Sequence, residues 1–229
     1  MILLNSELKS AIDKNEIVFD GNIENVGANS IDVTLHKTLK TYIPCKIIQL
    51  EKNGKKYNKI IEDKEKIDDN FFISMKEKNE VFVYDIPEDG LILSPNILYL
   101  GATNEKAGSD KFLPMYEGRS STARLGFQSH LSAGFGDISF KSNWTLEIIV
   151  IHPLEIFPNA RVGQVYFHET NEKALEQLFF DNKQYNSKYN EQTIAQESKM
   201  YLDFQNKQEV EKDDTFLELD FGNIEYKGF

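Results

Sequence analysis

The residues from Glu117 to Glu147 have the side-chain types that a nucleotide site needs. This segment contains two arginines, two adjacent hydroxyls, an aspartate in a glycine-rich turn and a carboxylate in an apolar run, which are Arg119, Arg124, Ser120, Ser121, Asp137 and Glu147. Guanidinium and hydroxyl groups bind phosphate, and a carboxylate can move a proton to or from water. Their combination in one short segment indicates a site for an anionic nucleotide.

Three motifs in this segment occur in the order that a known family has. They read GRSSTARLG at Gly118–Gly126, HLSAGFGD at His130–Asp137 and TLE at Thr145–Glu147. In these residues the chain resembles the dCTP deaminases of the dUTPase-like superfamily. The resemblance covers most of residues 1–204, because matching residues also occur at Asn29–Asp32, Leu91–Glu105, Val162–Gln164 and Ser187–Gln192.

The resemblance implies which residues carry out catalysis. They are Glu147, Ser120, Arg124 and Ala133. Glu147 would take a proton from the attacking water and pass it to N3 of the cytosine ring. Arg124 would pair with Glu147, and the Ser120 hydroxyl would help to place the water or the C4 substituent.

The resemblance also implies the residues that bind the nucleotide. Arg119, Ser120 and Ser121 would form a phosphate cradle, Asp137 would accept from the 3′-hydroxyl, and Phe140 would wall the sugar. The complete predicted set is Arg119, Ser120, Ser121, Arg124, Asp137, Phe140, Thr145, Leu146, Glu147, Gln164, Tyr185, Lys188 and Gln192. Mg²⁺ is expected to bind through the nucleotide phosphates, not at a protein metal site.

Several of these residues have simpler explanations from the sequence alone. Glu147 alternates with Leu146 and Ile148, which is also typical of a glutamate on the solvent face of a strand. Ser120 and Ser121 are typical of a helix cap, and an aspartate beside glycines is typical of a turn. Outside the family pattern, Lys188 and Gln192 are ordinary surface residues.

Composition excludes two other classes of function. A net charge of −11 argues against a protein that coats nucleic acid, because that function needs a basic face. The single cysteine, Cys45, rules out the P-C-x-x-C motif of zinc-dependent deaminases, so no zinc is expected. The four histidines lack metal-ligand spacing, and His130 is assigned to packing. No apolar run approaches the ~20 residues of a membrane span, so we expect a cytoplasmic protein without membrane contact.

The patterns along the chain predict a mainly β fold with short helices. Asn5–Glu7 followed by Leu8, Ala11 and Ile12 predicts a short amphipathic helix, and the segments that follow predict many short strands. The resemblance implies the distorted jelly-roll β-barrel of the dUTPase-like type, assembled as a homotrimer with sites between subunits. We expect a deaminase-like domain over 1–204, with a charged insertion at 51–79, and a C-terminal extension at 205–229 in which Phe216–Phe221 can add a strand.

The expected reaction is deamination of dCTP to dUTP, with onward hydrolysis to dUMP and pyrophosphate. Ser132-Ala133-Gly134-Phe135 resembles the Thr-Ala-Gly-aromatic form of the bifunctional branch, so Gly134 and Phe135 are the residues implied for bifunctionality, and dTTP is a possible inhibitor. The family usually reads I-D-P-G-F where this chain has Gly136-Asp137-Ile138-Ser139-Phe140. Two alternatives remain open: a dUTP diphosphatase without deaminase activity, and a non-catalytic nucleotide-sensing or protein-binding module.

Overall fold

The computed structural model of the protein describes residues 1–180, 188–189 and 192–205. The chain forms two units, of which the first comprises Met1–Ile73 and Asn79–Glu197 and the second Ser74–Lys78 and Ser198–Phe229. In the described part of the second unit, Lys76 Nζ lies 5.7 Å from the ring centroid of Phe204. The extension predicted at 205–229, including Phe216–Phe221, lies outside the described residues except for Gln205.

The first unit contains short helices and many strands, which confirms the predicted mainly β fold. The helices are α1 (Asn5–Asp13), α2 (Ser120–Ala123) and α3 (Glu172–Phe180), with two short 3-10 helices at Ile23–Asn25 and Lys64–Lys66. The strands are β1 (Ile17–Phe19), β2 (Ile31–Thr34), β3 (Thr38–Thr41), β4 (Cys45–Lys52), β5 (Lys55–Glu62), β6 (Phe82–Asp85), β7 (Leu91–Leu93), β8 (Tyr99–Ser109), β9 (Leu113–Gly118), β10 (Phe127–Gln128), β11 (Lys141–Val150), β12 (Leu154–Ile156) and β13 (Arg161–His168).

The strands form three sheets. The largest has the order β10-β11-β8-β3-β6, with β1 also paired to β8; the second has the order β12-β7-β5-β4 and the third β2-β13-β9. All pairs are antiparallel except β5 with β7. Among the described residues, no helix is both long and apolar enough to cross a membrane.

One helix agrees with the sequence patterns, and two other elements differ from them. The predicted helix at the N-terminus is α1, where the Glu7 carboxylate accepts from the Leu4 backbone N–H at 2.8 Å and so caps the first turn. The helix α3 was not predicted, because the segments after α1 were assigned mainly to strands. Of the charged insertion predicted at 51–79, the residues up to Glu62 belong to the β4–β5 hairpin, which begins earlier, at Cys45, and pairs with β7. Lys64–Lys66 form a short 3-10 helix after it.

An aromatic cluster joins the strands that carry the predicted site. The rings of Tyr116 and Trp144 are stacked with centroids 5.9 Å apart, and Phe140 packs edge-on against Trp144 at 5.0 Å. All three are buried. Aromatic pairs at these distances stabilise the fold beyond the apolar area that they bury. The cluster therefore fixes β9 relative to the start of β11.

Glycines allow backbone segments to approach each other around this cluster. A Cβ on Gly108 of β8 would overlap the carbonyl oxygen of Phe140 and lie 2.8 Å from Lys141 Cα. A Cβ on Gly136 would lie 2.6 Å from Trp144 Cη2. Because backbone atoms cannot move aside as a side-chain end can, the contact at Gly108 requires glycine.

The turn that leads into β11 forms without the proline and glycine usual in the family. The Phe140 backbone N–H donates to the Asp137 carbonyl at 3.1 Å, and the Ser139 N–H donates to Ser109 O at 2.9 Å. Ser139 has φ +73°, which is a conformation that glycine adopts without strain. The surrounding hydrogen bonds thus hold a serine in the conformation that this turn requires.

We expect Gly108→Ala to destabilise the fold by about 3 kcal/mol, because the added methyl group meets backbone on the neighbouring strand. Gly101→Ala, on the same strand, is the matched control: its Cβ would lie 2.7 Å from Ile148 Cδ1, a side-chain end that can rotate. We expect about 1 kcal/mol for that change. Thermal unfolding measures both, and equal losses of stability for the two variants would contradict this explanation.

Candidate functional site

A cavity of about 570 Å³ lies beside the start of α2. It is lined by Asp32, Glu117, Gly118, Arg119, Ser120, Ser121, Ala123, Phe127, Gln128, Ser129, His130, Leu131 and Gln164. Four of the predicted nucleotide-binding residues line it, namely Arg119, Ser120, Ser121 and Gln164. A second cavity of about 530 Å³, beside α1, is lined by none of the predicted residues.

Arg119 lies at the junction of β9 and α2. It is the N-cap residue of α2, and its backbone carbonyl accepts from Ala123 N at 3.0 Å and from the Thr122 hydroxyl at 2.9 Å. Its side chain is mostly buried, with Nε 3.3 Å from Asp32 Oδ1. The cap interpretation of Ser120 and Ser121 is therefore wrong, because both serines lie within the first turn of α2 and Arg119 is its N-cap, without a side-chain cap hydrogen bond. All three residues line the cavity.

Gln164 is held at the cavity by the middle strand of the smallest sheet. In the register of that sheet it lies opposite Asp32 of β2 on one side and Glu117 of β9 on the other. Its Oε1 accepts from the Ser30 hydroxyl at 2.9 Å. That bond fixes the orientation of the amide, so its NH₂ group is available to a ligand.

Glu147 lies on the outer face of β11. Its neighbours Leu146 and Ile148 are completely buried, whereas Glu147 is only half-buried. Its Oε2 accepts from the Leu131 backbone N–H at 3.2 Å, and Leu131 lines the cavity. Strand alternation therefore turns Glu147 away from the core, toward the loop beside the cavity, in line with its alternation with Leu146 and Ile148 in the sequence.

Arg124 does not pair with Glu147 within the described part of the single chain. It lies at the end of α2 with an exposed side chain, and its Nη1 donates to the Ser120 carbonyl at 2.9 Å. The expected ion pair is thus not formed inside one chain. Ser120, one helical turn earlier, has an exposed side chain at the cavity.

The loop that contains Ala133, Gly134 and Phe135 runs along β9. The Gly134 carbonyl accepts from Tyr116 N at 2.7 Å, and a Cβ on Gly134 would lie 2.5 Å from Tyr116 O. Gly134 is therefore required by close backbone contact, whatever its role in bifunctionality. Ala133 and Phe135 are exposed, Phe135 by 62%.

The predicted sugar-binding residues lie outside the cavity. Asp137 has an exposed side chain in the turn before β11. Phe140 is buried against Trp144 as part of the core. The structure thus assigns Phe140 a packing contact, and its role as a sugar wall remains a prediction.

The TLE motif meets the C-terminal part of the first unit through Thr145. Its hydroxyl lies 3.2 Å from Gln192 Oε1 and accepts from Gln196 N at 3.1 Å. Gln192 is buried, and its carbonyl accepts from the Ser142 hydroxyl at 2.8 Å. Gln192 therefore contacts the face of β11 that also carries Glu147, which lies two residues after Thr145 on the strand. The Leu146 side chain is fully buried, so only its main chain is left for a ligand.

The remaining predicted residues lie at the end of the matched region. Lys188 is exposed, and it and Tyr189 are the only residues between 181 and 191 that the structure describes. Tyr185 lies outside the described residues.

Two residues of the cavity lining, His130 and Asp32, were not among the predicted nucleotide-binding residues. His130 packs edge-on against Tyr116 with ring centroids 5.5 Å apart, in line with the packing role assigned to it. It also lines the cavity, where its Nε2 lies 3.3 Å from Glu117 Oε2. Burial raises the pKa of the Tyr116 phenol well above its ordinary value. Asp32 contacts Arg119, and its occurrence in the matched Asn29–Asp32 motif was the available signal.

Comparison with known proteins assigns the chain to a family. A family model described as dCTP deaminase-like matches residues 2–170. The chain is 36% identical over 205 residues to a protein of Clostridium beijerinckii named "dCTP deaminase, dUMP-forming", covering 90% of this chain and 99% of that protein. A protein of the same name from Cytophaga hutchinsonii is 37% identical, also over 205 residues, with the same coverage.

Among solved structures, that of 2′-deoxycytidine 5′-triphosphate deaminase from Agrobacterium tumefaciens is similar with a TM-score of 0.49 and 11% identity. The match covers 80% of this chain and 53% of that chain, and it does not contribute to the family assignment. The family model and the curated relatives decide it: the chain belongs to the dCTP deaminase-like family.

Proposed function

We propose that this protein deaminates dCTP and hydrolyses the product to dUMP and pyrophosphate. The proposal is carried by the position of Glu147, whose carboxylate bonds to Leu131 N–H at the edge of a cavity lined by Arg119. It is supported by relatives of 36–37% identity whose names state that they form dUMP. Gly134 and Phe135, which resemble the bifunctional branch, lie in the same loop as Leu131.

In the proposed reaction Glu147 acts first as a base and then as an acid. Its carboxylate takes a proton from water as the water oxygen bonds to C4, and the proton passes to N3 of the ring. As the tetrahedral intermediate collapses, the C4 hydroxyl gives its proton through Glu147 to the amino nitrogen, the C4 carbonyl forms, and the bond from C4 to nitrogen breaks to release ammonia. Water attack on the α-phosphorus of the resulting dUTP would release pyrophosphate and leave dUMP.

Mg²⁺ is proposed to enter with the nucleotide. No three His, Cys, Asp or Glu side chains of the described residues are grouped so that they could hold a metal ion. The largely exposed carboxylate of Glu117 lies in the cavity near Arg119, which fits an ion held mainly by phosphate oxygens and water. When bound, Mg²⁺ would neutralise part of the triphosphate charge. Arg119 and the α2 hydroxyls would orient the phosphates beside it.

We further propose a homotrimer with sites between subunits. The segment that carries the site exposes several large apolar side chains: Leu125 by 56%, Leu131 by 52% and Phe135 by 62%. Arg124, which is exposed and among the described residues donates a side-chain hydrogen bond to Ser120 O alone, would meet Glu147 of a neighbouring subunit. Burial of these apolar groups would favour association.

Chromatography of products is the first test. We expect purified protein with dCTP and Mg²⁺ to yield dUMP, pyrophosphate and ammonia in equal amounts, with dUTP converted and CTP left intact. Release of dUTP without dUMP would restrict the protein to deamination. Cleavage of dUTP with dCTP unchanged would support the diphosphatase alternative, and no reaction with either would support the non-catalytic module. Adding dTTP to the same assay tests it as an inhibitor.

Glu147→Gln should reduce deamination by about 10³-fold or more, because the amide cannot accept a proton from water, with nucleotide affinity within about threefold of wild type. Glu155→Gln is the matched control, since Glu155 is a half-buried strand glutamate away from the cavity. We expect normal turnover for that variant. Ammonia release and calorimetric binding of dCTP separate the two effects, and an active Glu147→Gln protein would remove Glu147 as the base.

Mixed trimers test whether Arg124 and Glu147 act from different subunits. We expect Arg124→Ala and Glu147→Gln proteins to be inactive separately. After unfolding and refolding together they should regain about a quarter of wild-type activity, the share of sites that combine two intact residues in a ring of randomly mixed subunits. Continued inactivity of a well-folded mixture would place both residues of a site in the same chain.

A further inference from the structure

We propose that Asp32 and Arg161 form a positioning pair that presents the Arg119 guanidinium to the nucleotide triphosphate. The inference rests on the proposed function, because it takes the cavity as the phosphate site. Neither residue is among the predicted site residues, although Asp32 lies in the matched segment Asn29–Asp32. Both belong to the sheet that forms one wall of the cavity, Asp32 on β2 and Arg161 at the start of β13.

The Asp32 carboxylate bridges two guanidinium groups. Its Oδ1 lies 3.3 Å from Arg119 Nε, and its Oδ2 lies 3.3 Å from Arg161 Nη1. The side chains differ in exposure: Asp32 is 19% and Arg119 28% exposed, whereas Arg161 is 56% exposed. The carboxylate thus lies between a mostly buried arginine in the cavity and a more exposed arginine outside its lining.

The atom that Asp32 contacts matters for ligand binding. Arg119 uses its Nε for Asp32, so both of its Nη groups remain available for the paired hydrogen bonds that guanidinium makes to phosphate. An arginine side chain has many rotamers, and holding one of them in advance reduces the entropy lost on binding. Asp32 therefore acts through Arg119 and need not contact the nucleotide.

Arg161 explains how a carboxylate can lie beside a phosphate site. Asp32 alone would neutralise the charge of Arg119 and so cancel its attraction for an anionic ligand. With Arg161, the two guanidinium groups and the Asp32 carboxylate carry a net charge of +1, which offsets the Glu117 carboxylate that also lines the cavity. The register of β13 against β2 is irregular between Arg161 and Gly163. Such an irregularity changes the direction of side chains beside it, and here Arg161 reaches Asp32 from the strand end.

The direction in which Asp32→Asn changes the affinity for triphosphate distinguishes a positioning role from a simple effect of charge. Asp32→Asn removes a negative charge beside the phosphate site, so charge alone would tighten anion binding. A positioning role predicts the opposite, because Arg119 loses the partner that fixes it. We expect about tenfold weaker binding of inorganic triphosphate to the full-length protein, measured by calorimetry, which lies within the range for a hydrogen bond to a charged group. The KM for dCTP should rise by a similar factor with kcat within about twofold of wild type.

The double variant Asp32→Asn with Arg161→Gln restores the net charge of the group. It should remain about tenfold weaker than wild type, because the orientation of Arg119 is still lost. Arg161→Gln alone should weaken triphosphate binding about threefold by removing positive charge. Asp110→Asn, which breaks the surface ion pair with Lys141, is the control and should leave binding unchanged. Binding by the double variant that equals wild type, or tighter binding by Asp32→Asn, would overturn the proposal.

Two further measurements keep the test decisive. If circular dichroism shows that Asp32→Asn does not fold, Asp32→Glu is the second variant, because it keeps the charge but displaces the carboxylate. It should also weaken triphosphate binding, and unchanged affinity would overturn the inference. Because inorganic triphosphate is not turned over, binding does not depend on the reaction. Wild-type protein that binds triphosphate but leaves dCTP intact would contradict the proposed function only, whereas wild-type protein that does not bind triphosphate would overturn the positioning role.

Discussion

The packing of Trp144 between Tyr116 and Phe140 is the contact on which the arrangement of the site depends. It joins β9, which ends at Gly118 just before Arg119, to β11, which carries Glu147. The backbone can come this close only because Gly108, Gly134 and Gly136 lack side chains at the points of nearest approach. Protein interiors are close-packed, so a displacement of one ring would move both strands. Arg119 and Glu147, for which we propose phosphate binding and proton transfer, are thereby held in a fixed relation by the core beneath them.

The two faces of strand β11 have different surroundings: one packs in the core and the other faces the candidate site. Leu146 and Ile148 are completely buried, while Thr145 and Glu147 point to the opposite side. On that side the carboxylate receives a backbone N–H from Leu131, and the Thr145 hydroxyl bonds to the segment at Gln192 and Gln196. One face of the strand thus packs in the core, and the other contacts two segments that are distant in the chain, because successive residues alternate between faces.

An acidic protein that binds a triphosphate must concentrate positive charge locally. The net charge is −11, yet Arg119 and Arg161 converge on the single carboxylate of Asp32. A partly desolvated arginine is stable beside a carboxylate, and the second arginine restores positive charge toward the ligand. The carboxylate of Glu117, which lies near His130, adds negative charge to the same cavity and suits a site that receives Mg²⁺ with its nucleotide.

The sequence by itself determined the types of the functional groups, their order in the family motifs, the mainly β character and the alternation that places Glu147 opposite Leu146 and Ile148. These are local properties, readable from residue type and period. Only the tertiary structure decided that Asp32 bridges Arg119 and Arg161, that Phe140 belongs to the core, and that Arg124 bonds to its own helix. The helix α3 and the start of the β4–β5 hairpin were also beyond the local patterns. Such contacts join residues that are far apart in the chain, and they depend on sheet register and side-chain packing, which no short segment of sequence specifies.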